Sequence, residues 1–279
     1  MATGTTADGW DKNAEYYEAT IGVNLTEPLA RDLVSWASSV NPLETKGSKA
    51  FDNGCGTGLV ARTLAKLYPD LPIVAADVSS GMIRQARKVV EKEGMKNVTL
   101  QVEDATNLQG LADESFTHTF CLAMIGSAPD PQKVASEMYR VTRSGGVLGI
   151  GSWVGHCWPE AVQRAVRRAL DKPDYTAPRM VDPSTGSAEA LRKLLQDAGW
   201  EVLDVKEQKA YFNWPNKQAA MDFFFDKEHV NPIAELMSKE LDDEQMRKFR
   251  PEFEKAFDEV WPDATKMYET APLAVARKK

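Results

Sequence analysis

The densest run of chemistry-capable residues is Asp52-Asn-Gly-Cys-Gly-Thr-Gly58. Glycines at Gly54, Gly56 and Gly58 let a backbone turn sharply and bring its amides close to a ligand. Leu59 stands where a dinucleotide-binding loop places its third glycine, and Asp52 puts a carboxylate just ahead of the turn. Such a carboxylate repels a pyrophosphate and favours a cation such as an amino group. Asp77 lies 19 residues past Gly58 at the end of an apolar run. There an acid accepts hydrogen bonds from two ribose hydroxyls, or caps a helix. Asp104, followed by Ala105, ends a further apolar run, where an acid receives a purine's exocyclic amine or serves a turn. Of the histidines, His118 lies inside an apolar run and reads as structural, and His229 reads as a solvated helix residue. His156, within Trp153-Val-Gly-His-Cys-Trp158, is the candidate general base, with a structural role equally open. Cys55, Cys121 and Cys157 form no Cys-x-x-Cys pair, which disfavours zinc and disulfides and points to a reducing compartment. No carboxylate cluster has divalent-metal spacing, so no metal is expected.

Short apolar runs must carry these residues. Ala50–Asp52, Ile73–Ala76, Val98–Val102, Phe116–Ala123, Val147–Trp153, Trp200–Gln208 and Leu273–Ala276 read as strands. Between them lie helical periods: Leu59–Tyr68, a helix capped by Ser80 and stopped by Gly94, and one through Val134, Met138 and Val141 ended by Gly145–Gly146. Two more run around Glu160–Leu170 and Ala188–Ala198. This alternation predicts an α/β fold with a doubly wound, seven-stranded, mostly parallel sheet. Ligands of such sheets bind at the carboxyl ends of the strands, where the loops above sit. Residues 10–40 read as an N-terminal helical cap. Residues 213–261 read as a helical lid inserted before the last strand, with Met221 and Phe223–Phe225 among its apolar anchors. The whole of 1–279 reads as one domain.

The 279 residues are 43% hydrophobic and carry a net charge of −7. That supports a sizeable core and disfavours nucleic acid, which leaves a basic footprint. No 18-residue apolar run or signal peptide is present, so no membrane partner and a cytoplasmic location are expected. The oligomeric state is not legible.

Taken in order, these motifs resemble the class I S-adenosylmethionine (SAM)-dependent methyltransferases, whose fold is Rossmann-like. Phe51-Asp-Asn-Gly-Cys-Gly-Thr-Gly58 looks like their first motif, and Ala75-Ala-Asp-Val-Ser-Ser-Gly-Met82 resembles the second. Val102-Glu-Asp-Ala105 is similar to the adenine-contacting motif, and Ser115–Leu122 and Arg140–Leu148 to later elements. Ala14-Glu-Tyr-Tyr-Glu18 looks like the N-terminal Ala-x-x-Tyr-Asp element. The resemblance covers residues 10 to 153. It implies SAM as cofactor, with Asp77 on the ribose, Val78 and Met82 beside the adenine, Asp104 and Ala105 at its amine, Leu122 against the methionine part and Tyr17 over its carboxylate. Departures are Asn53, Thr117 and Ser144, which replace an apolar residue, an aspartate and a proline. A narrower similarity, carried by the Asp-Asn junction, Gly151-Ser-Trp153 and the late insertion, is to fungal natural-product methyltransferases. The implied reaction is methylation of an O, S or N nucleophile on a small organic molecule, a secondary metabolite. A non-methylating relative, for example a pericyclic catalyst, and a non-catalytic binding module remain as alternatives. Trp10, Trp153 and Phe224 are expected against the substrate, although ordinary packing of lid on sheet is the commoner reason for any one such aromatic.

Overall fold

A computed structural model describes residues 7–155, 157–225 and 241–279. Strands β1 (Ala50–Asn53), β2 (Ile73–Asp77), β3 (Val98–Val102), β4 (Phe116–Leu122) and β5 (Thr142–Gly151) are mutually parallel. With β6 (Glu201–Tyr211) and β7 (Tyr268–Arg277) they form a seven-stranded sheet in the order β3-β2-β1-β4-β5-β7-β6. β7 lies antiparallel between β5 and β6. The order turns back on itself beside β1, and β1 carries the glycine loop at its carboxyl end. The mostly parallel, doubly wound sheet expected from the sequence is therefore present.

The described residues form the α-helices α1 (Ala7–Tyr17), α2 (Glu27–Val40), α3 (Leu59–Leu67), α4 (Ser80–Lys92), α5 (Pro131–Val141), α6 (Pro159–Ala169), α7 (Ala188–Asp197), α8 (Lys217–Phe225) and α9 (Asp243–Val260). A π-helical stretch, Glu18–Thr26, joins α1 to α2. One sheet face is covered by α2 and α3, whose Leu29, Leu33, Val60 and Leu64 meet Ala50, Ile73 and Phe120 in one core. The other face is covered by α5 and α7, through Val134, Met138, Leu191 and Leu195 against Leu148 and Ile150. Burial on both faces explains why the central strands read as unbroken apolar runs.

Local signals set most boundaries, and two fell differently from expectation. The cap of α4 is Ser79, not Ser80: Ser79 Oγ accepts from Met82 N at 3.0 Å. α5 ends at Val141, before Gly145–Gly146, because Thr142 turns extended and its Oγ1 closes on Met138 O at 2.6 Å. Gly145 and Gly146 fall inside β5 instead.

The insertion between β6 and β7 starts with α8 and ends with α9. Asp242 caps α9, accepting from Glu244 N and Gln245 N at 2.9 and 2.8 Å, while Gln245 Oε1 accepts from Asp242 N. The apolar side of α9 meets α8 and α6. Phe249, Phe253 and Phe257 pack on Phe224 and Phe225 of α8, and α9 lies along α6. Arg164 and Arg168 of α6 clasp Glu259 at 2.9 and 2.8 Å. These aromatic side chains are apolar partners for one another and belong to one core with Phe212 and Leu273 at the sheet. α8 still reaches the N-terminal helices, where Phe223 stacks on Tyr16 at 6.2 Å and its carbonyl accepts from Tyr16 OH. Ile233, Leu236, Met237 and His229 of the expected lid lie outside the described residues.

Candidate cofactor site

At the carboxyl ends of β1, β2 and β4 the described residues enclose a cavity of about 320 Å³. Its walls come from distant parts of the chain: Gly54 and Gly56, Asp77, Val78 and Met82, Asp104 and Ala105, Leu122 and Met124, with Trp10 and Tyr17 from α1. Ten of the residues named from sequence thus meet in one place.

The glycine loop turns through three left-handed positions, Gly54, Gly56 and Gly58. A Cβ added at Gly56 would meet nothing within 4 Å, so this stretch of backbone faces open space in the cavity wall. Gly58 is the N-cap of α3 rather than a residue of the cavity wall. The loop amide of Gly56 donates to Asp77 Oδ2 at 2.9 Å, and Ser79 N donates to Asp77 Oδ1 at 2.9 Å. Each carboxylate oxygen keeps a further lone pair, enough to accept two hydroxyls. Burial lifts the Asp77 carboxyl above the ordinary carboxylate value, and those two amides oppose the shift.

Asp52 is placed differently from Asp77. It is 1% exposed beneath the loop, does not line the cavity, and its Oδ2 accepts from Ala61 N in the first turn of α3 at 3.0 Å. Burial pushes its carboxyl up to about 7, the Ala61 amide resists, and the nearby Asp77 charge adds to the rise. Asp52 thus sits behind the loop, and only its ionised form carries a negative charge toward the cavity.

On the apolar side, Val78 is 54% exposed although it lines the cavity, an unusual position for a valine and a ready surface for a flat ring. Met82 and Leu122 are buried beside it. Asp104 Oδ1 accepts from Thr106 N and Thr106 Oγ1, both at 2.8 Å, which leaves Oδ2 for an amine.

The roof is α1. Trp10 and Tyr17 meet edge to face at 5.6 Å, and burial raises the Tyr17 phenol above its ordinary value, so it stays protonated. α1 is held over the site by a contact that sequence reading missed. Asp11 accepts from Ser79 Oγ at 2.5 Å, Gly81 N at 2.8 Å and Ser80 Oγ at 3.1 Å, at the N-terminus of α4. A carboxylate suits that helix end, and the bonds hold the Asp11 carboxyl below its ordinary value. Gly81 is required there, since a Cβ would stand 2.5 Å from the Asp11 backbone.

Other expected residues fall elsewhere. His156 lies outside the described residues. Trp153 and Phe224 are 8% and 6% exposed and are not among the residues lining the cavity; Phe224 packs on Trp158, Phe253 and Phe257. His118 is structural: it is fully buried, its Nε2 lies 2.8 Å from the Asn41 carbonyl, and burial lowers its basicity. Among the described residues no helix is long and apolar enough to cross a membrane.

Comparison with known proteins agrees with this geometry. Residues 50–146 match the family model described as a methyltransferase domain. The methyltransferase ucsB of an Acremonium species is 30% identical over 212 residues, spanning 72% of this chain and 71% of that protein. Two solved structures share the fold. The 4+2 cyclase SpnF has a TM-score of 0.53 at 20% identity, with 89% of this chain and 81% of that one covered. Phosphoethanolamine N-methyltransferase 2 of Haemonchus contortus, in complex with S-adenosyl-L-methionine, has a TM-score of 0.52 at 18% identity, with 88% and 52% covered.

Proposed function

Because this chain belongs to the class I SAM-dependent methyltransferases, we propose that it methylates an O, S or N nucleophile on a small organic molecule, a secondary metabolite. The observation that carries this reading is the single cavity wall shared by the glycine loop, Asp77, Asp104 and Leu122. SAM is the cofactor, and when bound it supplies a methyl group already activated on a sulfonium.

Each wall residue then has a task. Asp77 accepts the two ribose hydroxyls, Val78 and Met82 flank the adenine, and Asp104 with Ala105 takes its amine. Gly54 and Gly56 let the backbone approach, while Gly58 turns the chain into α3. Leu122 lies along the methionine part and Tyr17 donates toward its carboxylate. Asp52, in its ionised form, favours the cationic end from beneath the loop. Trp10 borders the acceptor, and Trp153 and Phe224 shape the apolar packing behind that border.

The protein's main contribution is placement of the nucleophile in line with the methyl, and positioning alone supplies ~7–11 kcal/mol when the bound geometry is close to reactive. His156 is the base we propose for an alcohol or phenol acceptor, and His156→Ala then lowers turnover by ~100-fold or more. With a thiol acceptor the same change has little effect, because a thiol of pKa ~8.5 is already partly ionised near neutrality. The fold shared with a cyclase at 20% identity speaks for architecture alone, so methyl transfer is favoured over a pericyclic step.

Calorimetry tests the cofactor: S-adenosylhomocysteine is expected to bind and NAD is not, and the reverse result overturns the reading. Transfer of a labelled methyl group from SAM into a small-molecule extract, resolved by mass spectrometry, then identifies the acceptor.

A further inference from the structure

The roof and the floor of the cavity are joined by a side chain with no task in the scheme above. Glu18 follows Tyr17 directly and opens the π-helical stretch. Its Oε2 accepts from Thr57 Oγ1 at 2.5 Å, and its Oε1 accepts from Arg62 Nη1 at 2.5 Å. The cluster is shielded: Thr57 is fully buried, and the Arg62 and Glu18 side chains are 10% and 14% exposed. Behind it, Arg62 Nη2 reaches Glu93 Oε1 at 3.1 Å, and Lys66 holds the other Glu93 oxygen at 2.9 Å.

Thr57 occupies a sensitive position. On one side is Gly56, whose amide holds Asp77; on the other is Gly58, the N-cap of α3. The bond from its hydroxyl to a carboxylate therefore fixes the loop midway between the ribose acid and the helix. Bonds of this charge-assisted kind are roughly twice as strong as neutral ones, and shielding from water strengthens them further. At the other end of α1, Asp11 is tied to Ser79, Ser80 and Gly81. Trp10 and Tyr17, the two roof residues, sit next to these two ties.

We propose that Glu18 is a positioning residue that pins the N-terminal cap to the glycine loop, so that retention of the cofactor depends on this pin. The proposal rests on the reading of the cavity as a SAM site. With both ties in place Tyr17 cannot swing away without breaking a shielded ion pair; with Glu18 removed that end loses its tie to the glycine loop and keeps the Tyr16 contact with Phe223, while the Asp11 end stays bonded to α4. Release of product cofactor then requires the Glu18 end to open.

The test uses the full chain and S-adenosylhomocysteine, with affinity by calorimetry, dissociation by stopped flow and hydrogen exchange across residues 10–26. Glu18→Ala is expected to weaken binding about tenfold, equivalent to ~1.4 kcal/mol. The loss should arise from faster dissociation, and ligand-induced protection of residues 10–26 should disappear. Glu18→Gln keeps an acceptor for Thr57 in neutral form and should lose only about threefold, a fraction of a hydrogen bond's net worth. Thr57→Val, which deletes one hydroxyl at nearly constant shape, should also speed dissociation, and it decides the matter if Glu18→Ala does not fold. Variants that melt earlier yet keep wild-type affinity, dissociation and protection have lost stability alone, which overturns the pin. Absence of binding in the wild type overturns the cofactor reading and the pin with it.

Discussion

Replacing Asp52 by asparagine will change how stability depends on pH, by an amount that follows from where Asp52 sits. Its side chain is 1% exposed under the glycine loop, and burial, opposed by the Ala61 amide and aided by Asp77, raises its carboxyl from 3.8 to about 7. Between these values the folded protein keeps a proton that the unfolded chain has released. Stability from this group is therefore full below about pH 4, falls as pH rises, and levels off above about pH 7. At 1.36 kcal/mol per pH unit the whole effect is on the order of 4 kcal/mol. Asparagine matches the shape, offers Ala61 N an acceptor and cannot ionise. The difference in stability between wild type and Asp52→Asn should thus shift by on the order of 4 kcal/mol in the variant's favour from about pH 4 to about pH 8. Comparing the two proteins cancels groups that titrate elsewhere, such as Glu93 and Glu137, whose carboxyls are held below their ordinary value. Urea unfolding followed by circular dichroism, at constant ionic strength across that range, measures the difference. Parallel stability curves for the two proteins would refute the assignment of a buried, proton-holding Asp52.

Two further outcomes follow from the cavity and its roof. If Asp77 accepts two ribose hydroxyls as proposed, Asp77→Ala removes two charge-assisted bonds, each worth ~1.5–3 kcal/mol, and calorimetry showing unchanged S-adenosylhomocysteine affinity would remove Asp77 from that role. Gly81→Ala puts a methyl group 2.5 Å from Asp11 backbone atoms that cannot rotate away. α1 should then lift from α4, seen as faster hydrogen exchange through Ala7–Tyr17, and wild-type exchange rates there would show that the helices tolerate the methyl.

What the sequence made legible, and what it did not, divides by distance along the chain. Strands β1 to β5 and the loop at Gly54–Gly58 announce themselves through local patterns: buried apolar runs, spaced glycines and an acid at a strand end. The ties that hold the roof carry no such pattern. Asp11 meets Ser79 across 68 positions, and Glu18 meets Thr57 and Arg62 across 39 and 44. Asp11 and Arg62 look by themselves like solvated helix surface, and the motifs that hold Glu18, Thr57 and Ser79 do not say which side chains meet; the packing of α1 and the π-helical stretch on the loop brings them together. Asp52 was legible as an important acid but not as a buried one, because a four-residue strand gives no sign of which oxygen a neighbouring helix will claim. The insertion shows the opposite limit. Its apolar periodicity was clear, yet periodicity does not name a partner, and α9 found α6 and α8.

The place of β7 has a consequence for how the protein is made. β6 is synthesised before β7, yet β7 separates it from β5, and the ladder from Glu201 to Tyr211 pairs with β7. A nascent chain that has completed β1 to β5 can already align its parallel strands, whereas β6 has no neighbour in the sheet until residues 268–277 leave the ribosome. Through that interval β6 is unpaired on both sides, and in the finished sheet it remains an edge strand, a position that invites pairing with other chains. Its lysines, Lys206 and Lys209, and its acids, Glu201, Asp204 and Glu207, guard the strand against such encounters. When β7 arrives, Lys278 locks the seam: its ammonium donates to Thr142 O at 2.8 Å, and its backbone exchanges hydrogen bonds with Gly145 N and Gly146 O. The second half of the sheet can therefore close only once β7 has been made.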